Sequence, residues 1–423
     1  MIYFLSPLPP KQTGTADYIM QLLFDLECDL GSKVRQNITL LDKAPSADGL
    51  NELRGKGWLA EDISDVVFCD TDVVILFLAS NEFHRWVWEV LAESNLPNVV
   101  AVVHDLTAFP MLRSMARDPN SSFSREDEIL ALQFEFGMQA EWMADNFDNL
   151  PETSRYFLMG QGITLSRADI VVVHSKYARL RLVSEAIKGV QLPTVLVYDH
   201  PRPRVFEVSP LTTGPAEGVF CVGSIGFYSD IKRNEILLEA FGAFARSLSA
   251  ADRARVELVF VGKIDGDLRF AAEQIIERWQ IKELVRFTGY VEEEVLQAWQ
   301  NRIDLQMNLR FPSCGETSGT LARAQVMGKR VVCSSFAAFH EENATWKISV
   351  DPLREFPQLL EVIEKEFLLW RDKVAPSGIR EEHISKKLAF SRLVSLLLDG
   401  NYLMGKGKGS LSELVIINEE LVR

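Results

Sequence analysis

The sequence predicts an α/β protein made of two halves, each a parallel sheet wrapped by helices. Short apolar runs alternate with segments of helical spacing through most of the chain, the pattern of strands joined by crossover helices. A stretch rich in proline and turn formers, DHPRPRVFEVSPLTTGPAEG at 199–218, interrupts the alternation, which then restarts. A chain of 423 residues is also long enough for two or three domains.

In the first half, apolar runs predict the strands and helical periodicity predicts the helices. The predicted strands are 2–5, 34–41, 73–78, 99–103, 169–173 and 195–198. The predicted helices are 16–26, 82–93 and 176–187. Residues 110–165 are rich in Met and Phe, contain a helical stretch at 129–146, and are interpreted as an insertion. Apolar residues at helical spacing are more often core than membrane-contacting, so packing is the favoured interpretation here.

The second half repeats the pattern. Its predicted strands are 219–222, 256–261, 285–288, 305–309, 330–334 and 348–350. Its predicted helices are 234–247, 268–279, 292–301, a short helix between Glu316 and Gly328, and 356–370. The tail, with GKGKGS at 405–410, is expected to be flexible and then partly helical or stranded.

Composition excludes several classes of protein. The net charge of -14 and pI near 5.1 argue against nucleic-acid binding, which needs a basic surface. The five cysteines form no CxxC pair, which indicates reduced thiols in a cytoplasmic protein. No apolar run approaches the roughly 20 residues that span a bilayer, and the N-terminus lacks the features of a signal peptide. Membrane contact is therefore expected to be peripheral at most.

Chemically suggestive residues follow several predicted strands. They include Gly14, His104, Lys232 and Arg310, and ligands bind at the carboxyl ends of parallel strands. Each residue alone has an ordinary explanation, such as a helix cap, a core histidine or a solvated cation. Their joint placement favours two facing domains with a cleft between them. The chain has no GxGxxG after its first strand, no GxxxxGK[ST] and no metal-ligand spacing.

The most informative segment is RFPSCGETSGTLARAQVMGKRVVCSS at 310–335. It predicts a loop, a short helix with Thr317, Ser318 and Gly319 in its first turn, and a buried strand. A helix N-terminus offers unpaired N–H groups and partial positive charge, which suit a diphosphate. The carboxylate of Glu316 beside such a site suits sugar hydroxyls as hydrogen-bond donors. An ordinary strand–loop–helix with a Ser or Thr cap remains the alternative for this segment alone.

Taken together, these residues resemble a family-4 retaining glycosyltransferase of GT-B fold, of the bacterial cell-surface polysaccharide type, in a GETSG variant. The resemblance implies two facing Rossmann-like domains with an interdomain cleft. It implies an acceptor-binding domain at 1–203, a nucleotide-sugar domain at 204–390, and a tail at 391–423 that packs back on the first domain. Seven segments carry the resemblance: 6–18, 79–91, 99–106, 168–182, 220–241, 285–299 and 308–332.

The resemblance also implies roles for single residues. Gly14 is expected to let the backbone approach the donor diphosphate, and His104 to lie near the donor sugar. Lys232 is expected to pair with the diphosphate, and the segment from Arg286 to Gly289 to border the nucleobase. Glu316 matches the first Glu of the family's Glu-x7-Glu motif and is expected to bind sugar hydroxyls.

The rest of the motif departs from the family pattern. Thr317, Ser318 and Gly319 are expected to present N–H groups to the phosphate. The usual second Glu, which binds ribose, falls here on Arg323 or Ala324, and Ser224 replaces a usual phosphate-binding Arg. Arg310 and Arg323 are therefore hypothesised to supply additional phosphate contacts.

The resemblance thus predicts a hexosyltransferase that uses a GDP- or UDP-sugar, with mannose as one candidate sugar, and a saccharide or lipid-linked oligosaccharide acceptor. No cofactor and no metal are expected, since the nucleotide sugar is a substrate. The expected location is cytoplasmic, at the inner face of the membrane. A GT-B sugar-nucleotide epimerase and an inactive nucleotide-sugar-binding scaffold remain as alternatives.

Overall fold

The computed structural model describes residues 1–11, 13–187, 193–201, 203, 205, 218–373 and 389–398. These residues fall into two compact units. Unit 1 comprises the described parts of Met1–Arg202, Cys314–Thr317 and Ser385–Arg423. Unit 2 comprises the described parts of Pro203–Ser313 and Ser318–Ile384. No described helix is both long and apolar enough to cross a membrane.

In the described part of unit 1, seven strands form one parallel sheet in the order β3-β2-β1-β4-β5-β6-β7. The strands are β1 Ile2–Leu5, β2 Ile38–Asp42, β3 Leu59–Asp62, β4 Val73–Leu78, β5 Val99–Val103, β6 Ile170–Val173 and β7 Thr194–Val197. The helices are α1 Gly14–Leu30, α2 Ala47–Gly55, α3 Arg85–Glu93, α4 Phe109–Ala116, α5 Arg125–Phe136, α6 Ala140–Asp145, α7 Glu152–Arg155, α8 Gly162–Leu165 and α9 Lys176–Ile187. The central strands are buried on both faces, as expected for a parallel sheet covered by helices.

In the described part of unit 2, six parallel strands take the order β10-β9-β8-β11-β12-β13. They are β8 Phe220–Ile225, β9 Val256–Val261, β10 Val285–Phe287, β11 Leu305–Asn308, β12 Arg330–Ser334 and β13 Trp346–Ile348. The helices are α10 Asn234–Ser247, α11 Ala250–Arg253, α12 Gly266–Trp279, α13 Glu293–Arg302, α14 Gly319–Val326 and α15 Glu355–Arg371. The strand order reverses between β8 and β11, so the ligand crevice of this fold is expected at their carboxyl ends.

A last helix, α16 Phe390–Leu398, belongs to unit 1. Its buried face, which includes Phe390 and Leu393, joins the core formed by α1 and one face of the sheet. Ser391 Oγ also donates to Asp29 Oδ2 of α1 at 2.5 Å. The chain therefore returns to unit 1 after it has formed unit 2.

The predicted α/β fold with two parallel sheets is confirmed, and several element boundaries need correction. Residues 34–41 were predicted to be one strand, but Ser32–Gln36 forms a 3-10 helix and β2 starts at Ile38. The helix predicted at 129–146 is divided, because Gly137 takes a positive φ of 55° at the end of α5. The sequence analysis did not predict α2 or β3.

Two further corrections concern the carboxyl edge of unit 2. The strand predicted at 219–222 ends too early, because β8 continues through Gly223 to Ile225. A Cβ on Gly223 would lie 2.3 Å from the Ile303 side chain, so this glycine permits close packing inside the strand. Thr317 lies before α14 and not in its first turn, because the helix starts at Gly319 with Ser318 as N-cap.

Some predictions fall outside the described residues. The proline-rich stretch at 199–218 lies largely there, since only 199–201, 203, 205 and 218 are described. The tail from 399 onward lies there completely. In the segment 110–165, Met111 is buried, whereas Met138 and Trp142 are exposed.

Candidate functional site

The predicted site residues lie in two groups, one in each unit. Unit 1 holds Gly14 and His104, together with Glu316 and Thr317, because Cys314–Thr317 clusters with that unit. Unit 2 holds the other predicted residues, namely Lys232, Arg286, Gly289, Arg310, Ser318, Gly319 and Arg323. Each group is described within its own unit.

Gly14 is the first residue of α1, directly after its N-cap. The cap is Thr13, whose Oγ1 accepts a hydrogen bond from Ala16 N at 3.0 Å. A Cβ added to Gly14 would meet no atom within 4 Å. The glycine is therefore not required by packing among the described residues, and the surface beside it is open for a ligand to approach the backbone.

His104 follows β5 directly and lies among aromatic rings at the carboxyl edge of the unit 1 sheet. Its ring centroid is 4.3 Å from that of Tyr18, in an edge-to-face arrangement. Burial, with a smaller contribution from His174, holds the pKa of His104 well below its usual value. Its Nε2 is buried and has no hydrogen-bond partner among the described residues. The imidazole is therefore neutral at physiological pH, with one ring nitrogen that no described protein group satisfies.

His174, which follows β6, fixes the side chain of Tyr18. Its Nδ1 is 3.1 Å from the Tyr198 carbonyl oxygen, and its Nε2 is 3.0 Å from the Tyr18 hydroxyl. Since a carbonyl can only accept, Nδ1 carries the proton, and in the neutral imidazole Nε2 accepts from Tyr18. Burial raises the pKa of Tyr18 well above 10, so the hydroxyl keeps its proton. The ring beside His104 is thereby held in one orientation.

Asp105 is a buried acid that directly follows His104 and was not among the predicted site residues. Its Oδ2 accepts from Ser80 N at 3.1 Å, and its Oδ1 has no partner among the described residues. Burial raises the pKa of Asp105 to about 6, and the charge of Glu316 acts in the same direction. The carboxyl therefore gains its proton at a higher pH than an exposed aspartate does.

The segment Cys314–Thr317 is anchored in unit 1 by its backbone. Leu106 N donates to Cys314 O at 2.9 Å. Gly315 has a φ of 88°, and a Cβ there would lie 3.1 Å from Leu106. The Glu316 carboxylate turns back to accept from Cys314 N at 2.7 Å, which fixes its position. Burial raises the pKa of Cys314 to about 12, so its thiol stays protonated and is not activated as a nucleophile.

In unit 2, Lys232 lies after the end of β8 and folds back over it. Its Nζ donates to Ile225 O at 3.0 Å. A Cβ on Gly226, whose φ is 104°, would lie 2.1 Å from that Nζ, so only glycine leaves room for the ammonium. Burial, with a smaller contribution from Arg310, lowers the pKa of Lys232 to about 7. Among the described residues no carboxylate forms an ion pair with Lys232, so an anion bound beside it would stabilise its charged form.

Arg310 and the start of α14 lie at the carboxyl end of β11. Phe311 N donates to Ile231 O at 2.8 Å, which joins the loop after β11 to the loop that carries Lys232. Ser318 Oγ donates to Asn308 Oδ1 at 3.0 Å and caps Leu321 N at 3.3 Å. Strand end and helix N-terminus are therefore held together at the strand-order reversal, where this fold binds ligands.

The remaining predicted residues lie near the edge strand and on α14. Arg286 is partly exposed and pairs with Glu257 on the neighbouring strand at 2.5 Å. Gly289 has a φ of 71° and forms a bridge with Gly262, so its loop is tied to the end of β9. Arg323 is almost fully buried and forms an ion pair with Glu293 at 2.6 Å. The sequence analysis did not single out Glu293, which is one of three consecutive glutamates.

A cavity of about 430 Å³ in unit 2 lies away from these residues. Asp304, Lys329 and Arg330 line it, and they come at or just before the amino ends of β11 and β12. It therefore opens at the edge opposite to the predicted ligand site. Among the described residues, no group of three or more His, Cys, Asp or Glu side chains is arranged to hold a metal ion.

Comparison with known families identifies part of the chain. Residues 216–360, about a third of the 423, match the family described as Glycosyl transferases group 1. This segment is therefore similar to group 1 glycosyltransferase domains. The segment contains Lys232, Arg310, Glu316 and the whole of α14. No curated protein matches the chain by sequence.

Solved structures resemble nearly the whole chain. HepE of Anabaena, in complex with UDP, has a TM-score of 0.58 at 14% identity, covering 94% of this chain and 99% of its own. The N-terminal domain of Candida albicans trehalose-6-phosphate phosphatase has a TM-score of 0.57 at 10% identity, covering 95% and 96%. WaaG, a glycosyltransferase involved in lipopolysaccharide biosynthesis, has a TM-score of 0.51 at 13% identity, covering 96% and 100%. At these identities the resemblance establishes the fold, which is that of the two Rossmann-like domains of GT-B glycosyltransferases.

Proposed function

We propose that the protein is a retaining glycosyltransferase that moves a hexose from a nucleoside-diphosphate sugar to a hydroxyl of a saccharide acceptor. The observation that carries this proposal is the anion-binding arrangement of the group 1 domain. Lys232 with its pKa near 7, Arg310 and the N-terminus of α14 all belong to the two loops at the β8–β11 reversal. Two cations and a helix N-terminus match the charge of a diphosphate.

The same groups suit the chemistry of transfer. As the bond between the anomeric carbon and the diphosphate oxygen breaks, negative charge grows on the leaving group. Preorganised donors aimed at that charge stabilise the transition state, each by about 3 kcal/mol in other enzymes. The acceptor oxygen forms its bond on the same face of the sugar, and its proton passes to the leaving phosphate. No nucleophile from the protein is needed for retention in this scheme.

Two residues of unit 1 have properties that fit the donor sugar. The buried, neutral His104 has an unsatisfied ring nitrogen that can hydrogen-bond a sugar hydroxyl. The Glu316 carboxylate is fixed by the Cys314 backbone and can accept from further hydroxyls. We assign both to sugar binding, and Gly14, with its open backbone, to the approach of the diphosphate.

The proposal extends to the substrates and the setting. The donor is a UDP- or GDP-sugar, and UDP-sugars are the first to assay because HepE was solved with UDP and with UDP-glucose. The acceptor is a saccharide or a lipid-linked oligosaccharide of surface polysaccharide or glycolipid synthesis, with mannose as one candidate for the transferred hexose. The reaction is proposed to need no metal and to take place in the cytoplasm, at the inner face of the membrane.

The direct test is transfer of radiolabelled hexose from UDP- and GDP-sugars to saccharide acceptors, with the anomeric configuration of the product read by NMR. Lys232→Ala is expected to reduce turnover about a hundredfold or more without loss of folding. Lys263→Ala is the matched control, because Lys263 is exposed and pairs only with the surface residue Asp265 among the described residues. Near-normal turnover in Lys232→Ala would refute the assignment.

The same assay separates the alternatives. A transferase hydrolyses its donor slowly without acceptor and accelerates when acceptor is added. An epimerase would release nucleotide and a rearranged sugar without acceptor, and an inactive scaffold would bind nucleotide with no turnover. An inverted product would contradict retention while leaving glycosyl transfer intact.

A further inference from the structure

Helices α13 and α14 lie side by side on one face of the unit 2 sheet. Trp299 of α13 and Ile303, which follows this helix, pack on β8 and β9. Leu321 and Ala324 of α14 pack on β12. Gln300 Nε2 of α13 donates to Thr320 O of α14 at 2.9 Å. Both helices begin at the carboxyl edge, so their first turns flank the crevice at the β8–β11 reversal.

An ion pair bridges the two helices near these first turns. Arg323 of α14 and Glu293 of α13 approach to 2.6 Å, through Arg323 Nη2 and Glu293 Oε1. The same Oε1 accepts from Gln297 Nε2 at 2.9 Å. Arg323 and Gln297 are both buried, at 5% and 0% exposure. Two buried donors on one carboxylate oxygen fix the orientation of the group.

The second oxygen of the Glu293 carboxylate, Oε2, can accept a hydrogen bond from a ligand. Glu293 is 42% exposed, and within the described residues no hydrogen bond or ion pair reaches its Oε2. Arg323 is less than satisfied as well, because its buried Nε has no partner among the described residues. In a salt bridge with a purely structural role, we would expect the buried Nε–H to donate a hydrogen bond as well. One oriented acceptor facing solvent beside a ligand crevice is what a hydroxyl-bearing ligand requires.

We propose that Glu293 binds the hydroxyls of the donor's ribose, and that Arg323 and Gln297 are positioning residues that hold its carboxylate. The inference rests on the proposed function, since it assigns a part of the same donor. A carboxylate would be repelled by the diphosphate, so it contacts a hydroxyl-bearing part of the ligand. The ribose is attached directly to the diphosphate, which the loops at the same edge bind. Arg323 thus acts on Glu293 instead of on the phosphate.

The test compares ribose and deoxyribose forms of the same nucleotide. Binding of UDP and GDP, each with its 2′-deoxy and 3′-deoxy analogue, is measured by calorimetry on the full chain. In the native protein, loss of the contacted hydroxyl is expected to weaken binding roughly ten- to a hundredfold, as for a hydrogen bond to a charged group. In Glu293→Gln, the ratio of the Kd of the deoxy form to the Kd of the ribose form is expected to be only a few-fold.

Glu294→Gln is the matched control. It removes the same charge from the next position of α13, and among the described residues Glu294 has neither a hydrogen bond nor an ion pair. It is expected to leave the ratio unchanged. Because each ratio compares ligands on one preparation, partial loss of folding in a variant does not alter it. For Arg323, the Lys variant is expected to keep more of the discrimination than the Gln variant, and equal loss in both would contradict its positioning role.

The outcomes separate this inference from the proposed function. If the native protein binds UDP or GDP but does not distinguish the deoxy forms, or if Glu293→Gln distinguishes them as well as the native protein, the ribose assignment is wrong and the donor site stands. If neither UDP nor GDP binds, the proposed function fails and this inference fails with it.

Discussion

At the residue scale, the candidate donor site depends on one lysine, Lys232, whose charged form is disfavoured by burial. The pKa of Lys232 is lowered to about 7, chiefly by burial and then by Arg310. Gly226 has no side chain, which leaves room for the ammonium. The chain as a whole carries a net charge of -14. An anionic donor is therefore attracted by the local cations, although the protein as a whole is negatively charged. Salt screens the repulsion from surface charges that are more than roughly 10 Å away.

This lysine gives nucleotide binding a predictable pH dependence. A diphosphate favours the ammonium form, so the pKa of Lys232 is higher in the complex than in the free protein. Between these two values binding takes up a proton, and the affinity falls as pH rises above about 7. Calorimetric titration with UDP or GDP from pH 6.5 to 9 measures the trend. In Lys232→Ala this trend is expected to disappear, and a decline of equal slope in that variant would show that another group titrates.

Only some of the residue assignments were accessible from the sequence. Lys232 and Glu316 lie in recognisable motifs, and their strand-end positions follow from the alternation of elements. The ion pair of Arg323 with Glu293 joins positions 30 residues apart on different helices. Nothing in a run of three glutamates indicates which one faces an arginine. The raised pKa of Asp105 depends on burial that only the fold provides.

At the element scale, α14 supplies the helix N-terminus of the site, and its start is fixed by a cap. Ser318 Oγ accepts from Leu321 N and donates to Asn308 Oδ1 at the end of β11. Hydrogen bonds of this kind satisfy an otherwise unpaired N–H and hold the first turn in place. The remaining N–H groups of that turn then point to a defined location.

Ser318→Ala is expected to lower the free energy of unfolding by about 1 kcal/mol and to weaken nucleotide binding roughly three- to fivefold. Ser249→Ala is the control, because Ser249 caps α11 in the same unit through Asp252 N at 3.1 Å but lies before β9, at the amino edge. It is expected to show the stability loss alone. Urea denaturation and nucleotide titration give the two quantities. Equal nucleotide affinity in the two variants would argue against a role of α14 in anion binding.

The elements differ in how well the sequence predicts them. The bounds of β4, β5 and β9 were predicted correctly, because continuous apolar runs are typical of strands buried on both faces. The strand β3, Leu59–Asp62, was missed because it is at the sheet edge, where only one of its four residues is buried and two are acidic. The first residue of α14 was misplaced because Thr317 and Ser318 are equally suitable caps by residue type.

At the scale of the whole molecule, the chain crosses between its two units more than once. Cys314–Thr317 clusters with unit 1 although the residues on both sides belong to unit 2. The helix α16 returns to unit 1 and buries Phe390, Leu393, Val394 and Leu397 against α1 and the sheet. The core of unit 1 therefore includes a segment that follows unit 2 in the chain.

Leu393→Ala tests this dependence. Leu393 is fully buried, and removing a buried leucine side chain costs about 2–5 kcal/mol. Leu398→Ala, at a half-buried position of the same helix, is expected to cost clearly less. The protection of the unit 1 strands against hydrogen exchange is measured at increasing denaturant concentration in both variants and in the native protein. If protection of those strands is unchanged in Leu393→Ala, α16 does not contribute to the unit 1 core.

Binding of a nucleoside diphosphate at Lys232 is tested by a metal-free thermal-shift panel with UDP, GDP, ADP and dTDP on the native protein, Lys232→Ala and Lys263→Ala. A ligand that binds only the folded state raises Tm by an amount that grows with its concentration and affinity. We expect one nucleotide to raise the Tm of the native protein and of Lys263→Ala and to have little effect on the Tm of Lys232→Ala. A folded native protein that responds to none of them, or a Lys232→Ala variant that responds as the native protein does, would contradict it.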